Sequence, residues 1–108
     1  MTLVIRLFAS AVLTLMSASA FAGDVLPYKS ESFDKLIADG RIVLIEAHAD
    51  WCPTCQRQAP AVDALAHSKP YEAVTVLVVD FDKQEDALKR FNISKQSTLV
   101  VFKGKQER

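Results

Sequence analysis

The chain has 108 residues, half of them hydrophobic, with 13 basic and 13 acidic side chains and a net charge of zero. That length and composition describe one small domain with enough apolar residues for a core, and exclude a disordered chain. The charge balance gives no footing to a nucleic-acid partner or to a polybasic membrane contact.

Residues 1–22 read as a secretory signal peptide. Arg6 is the only charge, Leu7 to Met16 is apolar except for Ser10 and Thr14, and Ala20-Phe21-Ala22 fits cleavage after Ala22. The alternative is an uncleaved anchor, because Leu3 to Ala22 is nearly long enough to span a bilayer. A membrane is expected as a partner only by that route. Cleavage takes the 13 basic side chains to 12 against 13 acidic, a net charge near −1, and leaves no cysteine at the new terminus for lipid attachment. The expected location is periplasmic or secreted, in an oxidising bacterial compartment where disulfide chemistry is at home.

Beyond this segment, Gly23 to Lys29 is an extended lead containing Pro27. Ser30 or Ser32 is placed to cap a short helix with Phe33, Leu36 and Ile37 on one face, and Gly40 stands at its C′ position. Arg41 to Ala49 predicts a strand whose unbroken apolar start is buried on both faces.

Trp51-Cys52-Pro53-Thr54-Cys55 follows directly and holds the chain's two cysteines. The spacing falls at a strand-to-helix junction, where one thiol meets the unsatisfied N–H groups and the positive end of the helix dipole. Such a setting lowers a thiol pKa from about 8.5 to between roughly 3.5 and 7.5, giving a nucleophilic thiolate at neutral pH. The pair is suited to thiol–disulfide exchange. A zinc site needs four ligands, and His48 and His67 lack paired ligand spacing. A purely structural disulfide would close a very short loop and stabilise little.

The helix opened by Pro53 is expected to run to His67, with Val62, Leu65 and Ala66 as its buried stripe and a kink at Pro60. Lys69-Pro70 closes it. Ala73 to Val79 is a second buried strand, and the strand–helix–strand unit implies a right-handed parallel crossover. Asp82 begins a turn, with Asp80 and Asp82 better explained by that turn than by a cation. Glu85 to Phe91 is a short helix with Leu88 and Phe91 inward, stopped by Asn92. Thr98 to Phe102 is a third strand, and Lys103-Gly104-Lys105 turns into a hairpin. Phe33, Phe81, Phe91 and Phe102 are expected in the core, whereas Lys83, Lys89, Arg90, Lys95, Lys103 and Lys105 are expected to form a solvated surface.

From about residue 30 to 108 the chain resembles the thioredoxin-fold family. The Trp-Cys-x-x-Cys signature carries most of the likeness, with Pro60 five residues after the second cysteine and Glu46 where the family keeps a buried acid, usually Asp. Val79-Asp80-Phe81-Asp82 and Phe91-Asn92-Ile93 match in kind and spacing. Ala49-Asp50-Trp51-Cys52 is similar to the thiol-reducing domains of membrane-anchored electron-transfer systems. The resemblance implies an α/β, thioredoxin-like three-layer fold over residues 23–108, a central mixed β-sheet flanked by helices. The family's last strand and helix would be missing, so the domain is expected to be incomplete at its C-terminus, with an unpaired edge at Thr98–Phe102.

The implied function is a thiol–disulfide oxidoreductase acting on protein thiols or disulfides without a cofactor or metal, served by an upstream electron donor or acceptor protein. Cys52, taken as nearer to solvent, attacks, and Cys55 resolves the mixed disulfide. Glu46, buried and raised in pKa, relays a proton to or from Cys55. Trp51, Pro53, Thr54, Ser97 and Thr98 form the surroundings, Trp51 covering the dithiol. Asp50 and Glu46 are expected to oppose thiolate formation, favouring a reducing couple over a strongly oxidising one. Ser97 stands where the family places a cis-proline, and His48 where it often has an aromatic residue. The Gln96–Ser97 bond is expected trans, and Ser97→Pro to increase exchange with protein disulfides. Two alternatives remain: a redox-inactive adaptor on the same fold, and a soft copper-binding protein using Cys52, Cys55 and His48.

Overall fold

The computed structural model describes residues 23–108; the signal-peptide reading falls on residues 1–22 and lies outside them. The β-branched runs at 42–48 and 74–80 form the two central strands. In chain order the elements are β1 (Val25–Pro27), α1 (Ser30–Ala38), β2 (Ile42–His48), α2 (Pro53–Ala66), a 3-10 turn at Lys69–Tyr71, β3 (Val74–Asp80), α3 (Glu85–Arg90), β4 (Leu99–Lys103) and β5 (Gln106–Glu107). The sheet order is β1-β3-β2-β4-β5. β2 and β3 run parallel from Ile42↔Val74 to His48↔Asp80, with α2 as the crossover between them. β4 is antiparallel to β2, which makes the sheet mixed. This is the thioredoxin-like α/β fold that the sequence implies.

Strand alternation sorts the side chains onto two faces. Val43, Ile45, Ala47, Leu77, Val79 and Val100 face α1 and α3, where Phe33, Leu36, Ala87 and Phe91 close the main core and Phe81, Leu88 and Phe102 pack at its margin. Val76, Leu44, Val78 and Val25 face α2 and meet Val62 and Ala66. Leu65 departs from the expected stripe and is 46% exposed. It lies one helical step beyond the arc that Val62 and Ala66 press onto β3.

Both short helices end on the residues expected to stop them. Gly40 (φ 74°) and Asn92 (φ 54°) take left-handed backbone. Arg41 N–H donates to Leu36 O and Gly40 N–H to Ile37 O, while Ile93 N–H donates to Leu88 O and Asn92 N–H to Lys89 O. Each is a Schellman closure. The N-terminus of α1 differs from expectation: Lys29 is the N-cap, no side chain caps it, and Ser30 is already helical.

Two further expectations are corrected. Arg90 does not belong to a solvated basic scatter. Its guanidinium pairs with Asp34, donates to Ser30 Oγ at 3.2 Å and lies 4.6 Å from the centre of the Phe33 ring. It straps α3 to α1 across the main core. The outer edge of β4 is covered only at its end, where β5 pairs with it at Phe102↔Glu107 and Lys103↔Gln106, and the rest of the expected edge has no partner strand among the described residues. Gly104 (φ 56°) makes the intervening two-residue turn possible.

Candidate active site

The dithiol sits where β2 gives way to α2. Cys52 is the N-cap of α2 and Pro53 its first helical residue, a position that has no use for the missing N–H. The Cys52 sulfur accepts the Cys55 N–H at 3.1 Å, so a thiol occupies the place where a Ser or Asp oxygen commonly caps a helix. Cys52 N–H donates to Ala49 O at 3.1 Å, and the Gln56 side-chain amide donates to Asp50 O at 2.6 Å, which pins the turn before the helix. The Cys55 thiol points back to Ala47 O, 3.9 Å away.

The expected difference in exposure between the cysteines is absent: Cys52 is 2% and Cys55 1% exposed, both packed with Ala49 and Phe81. Their hydrogen bonding separates them instead. Burial pushes the Cys52 thiol up, but it is outweighed by hydrogen bonds from the Cys55 thiol, the Cys55 and Thr54 backbone N–H groups and the Gln96 side chain, and the net shift is downward. Burial raises Cys55, helped by its hydrogen bond to Cys52 and the charge there, against smaller lowering from the backbone at Ala49 and Ser97. The two sulfurs are driven in opposite directions, Cys52 towards the thiolate and Cys55 towards the thiol. The expected opposition from Asp50 and Glu46 therefore does not decide the state of Cys52. Asp50 is fully exposed, and its carboxylate meets His48 Nε2 at 3.1 Å.

Glu46 is 3% exposed, and burial raises its carboxyl pKa while the charge of His48 pulls the other way. Its cross-strand neighbours are Val78 and Leu99, and its Oε1 has no hydrogen-bond partner. It is buried as expected. The charged neighbour that acts on it is His48, two residues on along the same strand face.

Trp51 is 57% exposed; its indole N–H donates to both Asp82 carboxylate oxygens, at 3.1 and 2.9 Å, and its ring meets Phe81 edge-on at 6.5 Å. Asp80 Oδ1 in turn accepts the Asp82 and Lys83 N–H groups, so this acidic pair builds the strand-end turn. Among the described residues, no group of three or more His, Cys, Asp or Glu side chains is arranged to hold a metal ion.

Ser97 and Thr98 join the site through the backbone. Ser97 N–H donates to Ala47 O at 2.8 Å, and Thr98 O accepts the Ala47 N–H at 3.0 Å. No peptide bond among the described residues is cis, and Ser97 has a φ of 62°. That overturns the expected benefit of Ser97→Pro. A proline ring holds φ near −65° and lacks the N–H that Ala47 uses. Gln96 is a contributor to the surroundings of Cys52 that sequence reasoning missed, its side chain being among the groups that lower that thiol's pKa. Its neighbour in the chain marks the loop, but nothing local ties Gln96 to Cys52.

Comparison with known proteins agrees with this geometry. The thioredoxin family model matches residues 24–108. Thioredoxin from Chlamydia trachomatis serovar D is 38% identical over 77 residues, covering 71% of this chain and 72% of that protein. Thioredoxin-T of Drosophila melanogaster is 38% identical over 69 residues, or 64% of this chain, which spans only 43% of that relative's length. The crystal structure of Trxlp from Edwardsiella tarda EIB202 superposes with a TM-score of 0.76 at 38% identity, covering 78% of this chain and 82% of that one. With a matching fold, a matching motif and a family model that takes in almost every described residue, the chain belongs to the thioredoxin family.

Proposed function

We propose that the protein is a thiol–disulfide oxidoreductase that reduces disulfides in other proteins through Cys52 and Cys55. One observation carries this reading: the Cys52 sulfur caps α2, accepting a backbone N–H, while Cys55 one turn later is held protonated. Cys52 Sγ attacks one sulfur of a substrate disulfide. The mixed disulfide forms as the substrate S–S bond breaks, and the first product leaves as a thiolate that takes a proton from water. Cys55 then gives up its proton and attacks Cys52 Sγ; the internal disulfide forms and the second product thiolate leaves and is protonated. Two electrons and two protons pass from the dithiol to the substrate.

The reducing direction rests on the kind of donor at Cys52. Every group that stabilises its thiolate is neutral: a thiol, two backbone N–H groups and an amide. Neutral donors give weaker bonds than cations do, so the reduced form is stabilised modestly and the couple stays on the reducing side. Glu46 is assigned as the acceptor of the Cys55 proton. The substrates are protein disulfides, and an electron-donor protein restores the dithiol. The signal-peptide pattern of residues 1–22 supports a periplasmic or secreted protein beginning at Gly23, which N-terminal sequencing of the exported chain tests.

The direct test is a Cys55→Ser variant incubated with a protein disulfide such as insulin. It should accumulate a mixed disulfide through Cys52, whereas the wild-type protein turns over and Cys52→Ser does neither. A wild-type protein that leaves insulin intact while its own dithiol equilibrates with glutathione would overturn the reading.

A further inference from the structure

Two open clefts meet on the α2 face of the sheet, sharing Val25, His48 and Val78. The larger, about 600 Å³, is lined by the β1 edge and by His48, Asp50, Asp80, Asp82 and Lys83. The smaller, about 500 Å³, runs under α2 and is lined by Glu46, His48, Gln56, Pro60 and Asp63 among others. His48 is the single ionisable residue common to both. It closes β2, its backbone oxygen accepts the Phe81 N–H at 2.9 Å, and its ring leans outward to Asp50.

Glu46 needs such a neighbour. A buried carboxyl that takes a proton from Cys55 in one half of the cycle must lose it before the next. Its cross-strand contacts are Val78 and Leu99, neither of which carries protons, and its Oε1 is unpartnered. The ionisable groups around the Glu46–His48 pair are few. From β3 comes Asp80, opposite His48; from α2, Asp63; after β1, Tyr28; from the loops, Asp50, Asp82 and Lys83. β1 offers Val25 and β4 offers Leu99. Of these, His48 alone lies beside Glu46 on its own strand face, and it also reaches the open cleft.

Resting on the exchange reaction proposed above, we infer that His48 is the proton-handling residue that connects the buried Glu46 carboxyl to solvent. Two strand positions separate them, roughly 6.6 Å of rise, a gap that one water in the smaller cleft spans. When Cys55 attacks Cys52, the Cys55 proton passes to Glu46. It then moves through that water to the His48 ring, while the ring releases a proton to the larger cleft beside Asp50. Glu46 returns to carboxylate, and His48 ends in its starting state. No electron moves through this path. Imidazole suits the task because it has two ring nitrogens, and with Nε2 at Asp50 the other is left for a second partner. His48 acts through Glu46 and touches neither substrate nor sulfur, so it is a positioning residue.

The test uses the full chain with His48→Gln, which keeps a polar side chain at the strand end. Two readouts are needed. The first is the ¹³C chemical-shift titration of the Glu46 carboxyl, whose midpoint should rise in the variant because the lowering charge is gone. The second is the rate at which Cys55 resolves a glutathione mixed disulfide on Cys52 at neutral pH. It should fall about tenfold, the low end of what proton transfer contributes to such steps, and free imidazole should restore it. A midpoint that does not move, or a slow variant that imidazole leaves slow, overturns the inference even if the wild-type protein reduces insulin normally. Conversely, a wild-type protein that resolves glutathione but ignores insulin removes the protein-disulfide reading and leaves this one standing. A dithiol that resolves neither ends both.

Discussion

On the α1–α3 side of the sheet, Phe33 meets Phe91 at 4.9 Å and Phe102 at 5.1 Å, both edge-on, and Arg90 covers the stack with its charge paired to Asp34. On the α2 side, β2 presents Glu46 with an unpartnered oxygen, His48 and two clefts, while Leu99 and Val101 of β4 and Leu65 of α2 are exposed. Both faces come from the alternation of one pair of central strands. The difference teaches where each kind of residue is tolerated: the first face holds the fold together, and the second spends packing on chemistry.

Substitutions should separate the two faces cleanly. The largest effect is expected from Phe33→Ala, which empties the centre of the aromatic stack and should cost about 3–5 kcal/mol in a denaturant titration. The folded fraction should still reduce insulin at the wild-type rate, since Phe33 lies in a different cluster from Cys52 and Cys55. Loss of exchange out of proportion to loss of folded protein would show that the faces are coupled.

Ser97→Pro comes next and probes the seam between the faces. It removes the N–H that Ala47 accepts from at 2.8 Å and demands a negative φ where the chain has 62°. The expected cost is about 3 kcal/mol if the loop stays in place. Ala47 is also the residue whose oxygen faces the Cys55 thiol, so exchange should fall together with stability. Ser97→Gly, which accepts positive φ and keeps the N–H, should preserve both. A proline variant as stable as wild type, with faster exchange, would restore the view of Ser97 as a handicap.

Legibility in the sequence followed the range of the interaction. Gly40 and Asn92 stop their helices through bonds to residues within one or two turns, and both were readable from their position after an apolar period. The parallel pairing of β2 with β3 followed from two buried runs joined by a helix, and the motif at Cys52–Cys55 located the site. Arg90 was not readable, because its partner Asp34 lies 56 positions away. Gln96 was hidden for the same reason, its influence on Cys52 arising between residues far apart in the chain. The equal burial of the two cysteines was hidden as well: helix position predicts which sulfur meets N–H groups, but Ala49 and Phe81 decide what water reaches. Leu65 failed by one helical step, since periodicity gives the face of a helix but not how wide a strip its neighbour covers.

The smallest effect concerns Glu46 and is a matter of pH. Its carboxyl pKa lies above the ordinary value of 4.5 because burial disfavours the charged form. Between 4.5 and the raised folded value, the folded chain therefore holds more protons at this site than the unfolded chain. By linkage, stability falls as pH rises through that window and is level on either side of it. The contribution is full below 4.5 and is lost as pH rises through the raised folded value, opposite to that of a paired surface carboxylate. Glu46→Gln cannot ionise, so the stability difference between wild type and variant should shift against wild type as pH is raised through that window. Paired urea titrations across that range measure it, with every other titrating group common to both chains. The same variant should slow resolution by Cys55 and leave attack by Cys52 unchanged, because Glu46 is not among the groups that shift the Cys52 pKa. A difference curve that is flat, or that rises with pH, would mean that Glu46 is solvated as a carboxylate. The α2 face would then be no more costly to fold than the one that holds Phe33.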